Sequence, residues 1–355
     1  MAIDHFTKDE LEVVGKFPGM GRLTRFNTPI TPRENMLRLY QGKTPMWIPS
    51  PGEMAGIKVD CDPENQARSP GGDPDRARID GYGVEWVFVE SAGGAMVRPG
   101  DPKVKDINEW EKYVTVPDPE TWDWAGSYER QKGQLADDTL LHSVTFGSCL
   151  FERLIAVMDF AEAAVALIDE DQKESVHRFF RAVTDSRKKY YTLVKKWFDP
   201  EVVNFNDDWG SQRAEFFKKE TAAEMLVPYV KEAVQCAHDL GMYVDLHCCG
   251  FVEGFVPFFI EEGFDTWGGQ PLNDKPKLKK MYPDSMVFTH EMKLAEDASD
   301  EEIDAAVAKF MEEFGYDNRG LYGGPDGENG RIRAKLYEVS RKNYDRLVAE
   351  GKAIL

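Results

Sequence analysis

A strand followed by a helix, repeated at least five times between residues 138 and 349, is the pattern that most limits the fold. The strands are predicted from short apolar runs at residues 140–146, 202–205, 242–246, 286–289 and 321–322. Repeated strand–helix units favour a parallel sheet. A glycine-rich phosphate fingerprint does not follow the first strand, which disfavours a dinucleotide-binding fold. We therefore predict an α/β protein, a single (β/α)8 TIM barrel over residues 45–355, after an N-terminal helical extension over residues 1–44.

Local signals place several element boundaries. Thr31 followed by Pro32 predicts an N-cap and a first helical residue, opening a helix that runs to Tyr40. Ser299, with Glu302 three residues later, has the pattern of a capping box at the start of another helix. The apolar run at residues 46–48 predicts a short buried strand.

Charge and composition exclude several classes of protein. The chain has 355 residues with 44 basic and 63 acidic side chains, giving a net charge of −19. Such a surface repels nucleic acid backbones and anionic membranes, so neither is an expected partner. No apolar run approaches the roughly 20 residues of a bilayer span, and the N-terminus lacks the features of a secretory signal. Five cysteines do not form a disulfide framework, so a reducing, cytoplasmic location is expected.

The sharpest chemical signal lies at the end of the strand at residues 242–246. It reads Asp245-Leu246-His247-Cys248-Cys249-Gly250. In an extended strand alternate side chains share a face, so His247 and Cys249 point the same way and can meet one metal ion. Asp245, on the same face, could orient the imidazole. Nitrogen and sulfur ligands favour zinc. The alternative is that the two cysteines merely fill apolar space.

Other candidates also follow strand ends. Asn206 and Asp208 share one face after the strand at 202–205, and the alternative for this segment is a helix cap or a solvated loop. His290 and Glu291 follow a later strand, where Glu291 is expected to ligate metal or bind substrate and His290 either binds substrate or packs in the core. Trp47 and Trp209 suit a pocket for an aromatic substrate, although ordinary core packing is the alternative.

Together these segments resemble the uroporphyrinogen decarboxylase superfamily, over about residues 32–347. The resemblance rests on Thr44-Pro45-Met46-Trp47-Ile48, Phe205-Asn206-Asp207-Asp208-Trp209-Gly210, Pro228-Tyr229-Val230-Lys231, Leu246-His247-Cys248-Cys249-Gly250 and Ile260-Glu261-Glu262-Gly263-Phe264-Asp265. It implies a (β/α)8 barrel. The decarboxylases of this superfamily carry arginines just after the first strand, whereas residues 48–55 of this chain contain none. Because a substrate with many carboxylates needs such cations, porphyrinogen decarboxylation is disfavoured.

The His247-x-Cys249 pair resembles the other branch, the zinc-dependent methyltransferases that work with corrinoid proteins. Thiol-methylating members of that branch add a third cysteine ligand near the last strand, but no cysteine follows Cys249 here. A thiol acceptor is therefore in doubt, and Glu291, Asp208 and Asp207 are the candidates for the third ligand. The chain most resembles the members that demethylate phenyl methyl ethers.

That resemblance implies transfer of a methyl group from a small methoxylated aromatic to the cobalt of a partner corrinoid protein. Zinc on His247, Cys249 and Glu291 would polarise the ether oxygen. Asp208, Glu291 and Tyr322 are the expected catalytic residues, with Tyr322 as a proton donor. The expected substrate-binding residues are Trp47, Asn206, Trp209 and His290. The alternatives are a decarboxylase-like lyase, a thiol methyltransferase or a non-enzymatic tetrapyrrole-binding barrel, and a homodimer is compatible with the sequence.

Overall fold

The computed structural model describes residues 5–19, 22–68, 78–90, 94–98 and 100–355. The chain divides into two compact units. Unit 1 comprises Met1–Gly56, Gln134–Ser143 and Asp265–Leu355, and unit 2 comprises Ile57–Gly133 and Val144–Phe264.

The strands and helices of the described residues follow one another in chain order. The strands are β1 (Val13–Lys16), β2 (Thr24–Phe26), β3 (Ala55–Lys58), β4 (Arg78–Ile79), β5 (Glu85–Val89), β6 (Gly94–Val97), β7 (His142–Thr145), β8 (Val202–Asn206), β9 (Tyr243–His247), β10 (Thr266–Trp267), β11 (Val287–His290) and β12 (Leu321–Tyr322). The helices are α1 (Pro32–Tyr40), α2 (Pro63–Arg68), α3 (Trp124–Gln131), α4 (Phe151–Met158), α5 (Phe160–Ala166), α6 (Lys173–Phe198), α7 (Lys219–Met225), α8 (Val227–Asp239), α9 (Val256–Glu262), α10 (Lys275–Met281), α11 (Asp300–Phe310) and α12 (Arg331–Ala349).

Unit 1 contains the parallel strands β10, β11 and β12, in which Trp267 pairs with Phe288 and His290 pairs with Tyr322. Its N-terminal part holds an antiparallel pair, β1 with β2, besides helix α1. The described part of residues 1–44 thus holds both strand and helix, and the N-terminal helical extension over residues 1–44 stays a prediction.

Both predicted caps in unit 1 are confirmed. The Thr31 hydroxyl accepts from the Glu34 amide at 3.1 Å and opens α1, which ends at Tyr40. Ser299 and Glu302 form the reciprocal bonds of a capping box at the start of α11.

The strand predicted at residues 46–48 does not form, although its three residues are buried. Side chains take the bonds that a neighbouring strand would make. The amide of Met46 donates to the Asn35 side-chain oxygen at 2.7 Å, and the Asn35 side-chain amide donates to the Trp47 carbonyl at 3.0 Å. The buried backbone is thus satisfied without a sheet.

Unit 2 contains the parallel pair β8 and β9, with five residues of each strand in register. Helices α7 and α8 connect them, as a parallel crossover requires. The same unit holds a small antiparallel sheet in the order β4-β5-β6. Strands β3 and β7 are each cut by the division between the units, after Gly56 and after Ser143.

Parallel strands joined through helices occur in both units, so the predicted α/β class is confirmed. Closure of the strands into an eight-stranded barrel stays a prediction. Among the described residues, no helix is both long and apolar enough to span a lipid bilayer.

Candidate metal centre

The side chains of β8, β9 and the residues just beyond them alternate between a packed face and an open face of unit 2. The buried face carries Val203, Phe205, Asp207, Val244, Leu246 and Cys248. The open face carries Asn204, Asn206, Asp208, Asp245, His247 and Cys249, each partly or largely accessible. All the polar candidates of these strands except Asp207 and Trp209 therefore share one surface, as the period of two predicts.

Aromatic packing fixes the buried face. The Phe205 ring lies 5.5 Å from that of Phe264, and the Trp209 ring lies 5.5 Å from those of Phe255 and Phe259. A shift of either strand by one residue would expose these rings and bury the polar side chains. Burial of these rings therefore fixes the register of β8 and β9, and with it the face on which their polar side chains lie.

Three potential ligands meet at the open ends of β8 and β9. One ligand atom each from Asp208, His247 and Cys249 lies within 4.8 Å of the other two. The Cys249 Sγ and His247 Nε2 are 3.3 Å apart. The sequence prediction that the imidazole and the thiol face the same way is confirmed by this distance.

The donor set and its spacing fit a zinc ion. Two ligands of a tetrahedral zinc, a sulfur at about 2.3 Å and a nitrogen at about 2.05 Å, lie about 3.6 Å from each other. The observed 3.3 Å between Sγ and Nε2 is close to that value. A sulfur, an imidazole nitrogen and a carboxylate oxygen are the ligand types that zinc accepts, and three protein ligands leave a fourth position for another group.

Asp208 is oriented by the residue it faces. Its Oδ1 accepts a hydrogen bond of 2.7 Å from the backbone amide of Cys249. No lysine or arginine among the described residues forms an ion pair with this carboxylate. The Cys249 thiol is also hydrogen-bonded to this carboxylate, so the backbone and the side chain of Cys249 both hold Asp208 at the group.

Two glycines let the strand ends come together. Gly250 has φ +83°, and a Cβ on it would overlap the carbonyl of Gly210. A Cβ on Gly210 would in turn overlap the carbonyl of Phe251. Only glycine fits this approach, which lies two residues after Asp208 and one residue after Cys249.

The side chains around Asp208, His247 and Cys249 include several carboxyl groups, and these affect the pKa values at the site. Burial, reinforced by the negative charges of Asp208 and Glu152, raises the pKa of the Cys249 thiol to about 12. Burial and the Asp208 carboxylate also raise the pKa of Glu152 well above its usual value. A divalent cation would relieve both effects, since it favours the thiolate and the carboxylates over their protonated forms.

Asp207, the other adjacent carboxylate, points to the packed side. It is 1% exposed and accepts from the amides of Phe151 and Glu152, at 3.1 and 2.9 Å, and from the Trp209 indole at 2.8 Å. Burial raises its pKa to about 7. It caps the first turn of α4, and its carboxylate is not part of the three-ligand group.

Asn206 and Trp209 lie close to Asp208 in the sequence, and their side chains make different kinds of contact. The Asn206 side-chain amide donates to the Phe146 carbonyl, and its backbone carbonyl accepts from the amide of Cys149 at 2.8 Å. Trp209 is 2% exposed and packs edge-on against phenylalanine rings. These contacts are those of core packing for Trp209, which was the alternative to substrate binding, and the substrate role of both residues stays a prediction.

The remaining predicted residues belong to unit 1. Glu291 forms an ion pair of 3.7 Å with Lys275, and the Tyr322 hydroxyl donates to the Pro325 carbonyl at 3.0 Å. Neither is part of the three-ligand group. Their predicted catalytic and ligand roles stay predictions.

His290 and Trp47 are packed against other aromatic rings. The His290 ring is stacked 5.8 Å from Phe310, and burial lowers its pKa to about 4. Trp47 is 2% exposed, lies 5.5 Å from the Tyr337 ring and donates to Glu53 at 3.2 Å. Their substrate-binding roles stay predictions, and these contacts match the packing alternative.

Sequence reasoning missed Glu152, whose carboxyl interacts electrostatically with Asp208 and Cys249. It lies in the first turn of α4, shortly after β7. Its position after a strand end was the only signal that could have selected it.

Comparison with known proteins supports the fold. No family model matches the chain, and no curated protein matches it. Among solved structures, a methyltransferase from Methanosarcina mazei is similar with a TM-score of 0.56 and 11% identity, covering 89% of this chain and 99% of that one.

Two further structures score much lower. A xylose isomerase domain protein from Planctomyces limnophilus has a TM-score of 0.33 and 9% identity over 68% of this chain and 92% of that one. A D-psicose 3-epimerase from Clostridium cellulolyticum H10 has a TM-score of 0.32 and 12% identity over 65% of this chain and 83% of that one. The likeness that carries weight is that to the Methanosarcina mazei methyltransferase, and it is a likeness of fold.

Proposed function

We propose that this protein is a zinc-dependent methyltransferase that moves a methyl group from a phenyl methyl ether to the cobalt of a partner corrinoid protein. The main support is the group formed by Asp208, His247 and Cys249, whose ligand atoms lie within 4.8 Å of one another. The fold, shared with a methyltransferase at a TM-score of 0.56, agrees with this activity. The resemblance of the His-x-Cys segment to corrinoid-dependent methyltransferases supplies the acceptor.

Asp208 is proposed as the third ligand in place of Glu291. Asp208 meets His247 and Cys249 within one group, whereas the Glu291 carboxylate has Lys275 as a partner. A zinc ion on these three residues would act as a Lewis acid toward the ether oxygen. The residues themselves set its position, because the amide of Cys249 holds Asp208 and the paired strands hold His247.

In the proposed reaction the methyl–oxygen bond breaks with its electron pair on oxygen, and the oxygen takes up a proton from solvent to give a phenol. The new carbon–cobalt bond takes its electron pair from cobalt(I), which becomes cobalt(III). The reaction needs the methyl carbon in line between the oxygen and the cobalt, so positioning is the main task of the protein. The open face of β8 and β9 is where the methyl donor would lie.

Metal content is the first test. We expect about one zinc per chain in the purified protein, by elemental analysis, and loss of that zinc in His247→Ala. Cys236→Ala, which removes a cysteine of α8, is the matched control and should keep the metal. A protein that binds no zinc but binds a tetrapyrrole tightly would contradict the proposal and favour a decarboxylase-like or binding role.

Activity is the second test. The zinc-loaded protein is incubated with a reduced corrinoid protein and a panel of veratrol, vanillate, guaiacol and syringate, and methylcobalt is followed by its absorbance. We expect at least one methoxyaromatic to methylate the cobalt, and His247→Ala to abolish the signal. If no member of the panel, extended to aliphatic methyl donors, alkylates cobalt, the proposed reaction is wrong.

A further inference from the structure

Three charged side chains of unit 2 hold one small residue, Ser148, which is 1% exposed. Its amide donates to Glu64 at 2.7 Å, its hydroxyl accepts from Arg68 at 2.8 Å, and its carbonyl accepts from Arg187 at 3.0 Å. Every polar group of Ser148 is thus bonded to a charged partner. Charge-assisted bonds of this kind are roughly twice as strong as neutral ones.

Glu64 is itself held in place by a buried partner. Glu64 forms an ion pair of 2.5 Å with Arg153, whose side chain is fully buried. Arg153 also pairs with Asp80 at 2.7 Å, and its guanidinium lies 4.0 Å from the Tyr82 ring. A buried pair with several partners has little freedom to move. Glu64, Arg68 and Arg187 together form the clamp on Ser148, and its Glu64 member is therefore firmly held.

The residue before Ser148 is adapted to this clamp. A Cβ on Gly147 would overlap the Glu64 carboxylate. Any larger residue there would push Glu64 away from the amide that it accepts. Gly147 thus allows the close contact between Glu64 and Ser148.

From Ser148 the connection to the candidate metal centre is short. Ser148 forms a parallel bridge with Asn206, and the next amide, of Cys149, donates to the Asn206 carbonyl at 2.8 Å. Asp207 then accepts from the amides of Phe151 and Glu152. These bonds fix the end of β8 immediately before Asp208.

We propose that Ser148, clamped by Glu64, Arg68 and Arg187, is a positioning residue that sets the place of the Asp208 carboxylate relative to His247 and Cys249. The inference rests on the proposed function, because it assigns Ser148 a role at the same metal centre. Ser148 touches neither metal nor substrate in this role. It acts through the backbone of Asn206 and Asp207.

The test uses cobalt(II) as the probe, since its visible d–d bands report ligand geometry and its near-ultraviolet band reports a bound thiolate. We expect Ser148→Ala and Arg68→Met to weaken cobalt binding about tenfold and to change the d–d bands of the bound ion. Arg68→Lys, which keeps a donor and the charge, should restore part of the affinity. Zinc affinity by competition should follow the same order.

Matched controls exist in the same unit. Arg178 bonds to Glu111 and to the buried Ser175, just as Arg68 bonds to Glu64 and Ser148. Ser175→Ala and Arg178→Met remove the same kinds of bond, at a more exposed ion pair, and should leave cobalt affinity and spectrum unchanged. A merely structural role for Ser148 predicts the same result for both pairs of variants.

The outcomes separate the two proposals. If the wild type binds no cobalt or zinc, the proposed function fails and this inference with it. If the wild type binds metal but Ser148→Ala and Arg68→Met bind it within twofold and with an unchanged spectrum, the positioning role is overturned and the proposed function stands. Arg68 is partly exposed, so Arg68→Met supplies the result if Ser148→Ala does not fold.

Discussion

The ends of β8 and β9 in unit 2 differ from the ends of β11 and β12 in unit 1, although the sequence placed candidate residues at both. In unit 2 the carboxylate of Asp208, the imidazole of His247 and the thiol of Cys249 face one another. In unit 1 Glu291 is paired with Lys275, and the Tyr322 hydroxyl donates to Pro325.

The difference lies in how the polar groups are satisfied. Buried polar groups normally have partners within the protein. Glu291 and Tyr322 of unit 1 follow this rule. The unit 2 group instead brings acceptors and a thiol together, with no basic side chain paired to Asp208 among the described residues. A cluster that lacks positive charge is the better candidate for a cation than one that already contains a lysine. Each variant below tests one side of this comparison.

Loss of the thiol is expected to have the largest effect. Cys249→Ser should weaken zinc binding by more than about 100-fold, because a neutral hydroxyl is a poor zinc ligand. This loss exceeds the one expected for residues that only support a ligand. Competition with a chromophoric chelator measures the affinity. Cys236→Ser is the control, and unchanged zinc affinity in Cys249→Ser would remove the metal centre from unit 2.

The third ligand is tested by a pair of isosteric changes. Asp208→Asn keeps an oxygen that can accept from the Cys249 amide but loses the negative charge, so zinc affinity should fall about tenfold or more. Glu291→Gln should leave zinc affinity within about twofold, because Glu291 already has a lysine partner. The reverse order of effects would make Glu291 the ligand and contradict the assignment of Asp208.

Tyr322→Phe tests whether the Tyr322 hydroxyl has a structural or a catalytic role. Its bond to the Pro325 carbonyl is expected to contribute about 1 kcal/mol to the free energy of unfolding. We therefore expect a slightly lower melting temperature and a methyl-transfer rate within about twofold of wild type. A large loss of rate at unchanged stability would instead identify Tyr322 as the proton donor.

The smallest effect is expected for His290. Its folded-state pKa of about 4 lies below the value near 6.5 of an unfolded histidine, so the unfolded chain binds the extra proton between these values. Stability from this residue is present above pH 6.5 and is lost as the pH falls toward 4.

The melting temperature of wild type should therefore fall by about 1–2 °C more between pH 7 and pH 5 than that of His290→Phe, which keeps a ring against Phe310. His5→Gln, at an exposed histidine, is the control. An identical pH dependence in His290→Phe and wild type would show that His290 is not buried in its neutral form.

The sequence predicts those parts of the candidate site in which strand alternation determines which side chains share a face. The period of two in a strand placed His247 with Cys249, and Asn206 with Asp208, before any tertiary contact was known. Local capping rules likewise placed Thr31 and Ser299. These signals depend only on residues a few positions apart.

The rest depends on contacts between distant parts of the chain. The run at residues 46–48 is apolar enough for a strand, but Asn35 takes its backbone bonds. Glu291, Asp208 and Asp207 were the sequence candidates for the third ligand, with Glu291 preferred, and only the fold shows that Glu291 has Lys275 as a partner. Glu152 carries no motif and is brought near Asp208 only by the fold.

The backbones at Gly210 and Gly250 are in close contact, and this contact does not depend on which side chains stand at the candidate ligand positions. Since neither glycine tolerates a side chain, the spacing of the neighbouring positions 208 and 249 is inherited with the main chain. At the proposed metal centre, ion preference can then be changed by exchanging side chains alone, for example by replacing the soft sulfur at position 249 with an oxygen ligand to narrow the preference for zinc over manganese. Such a scaffold offers an engineer a fixed geometry on which metal selectivity becomes a matter of ligand choice.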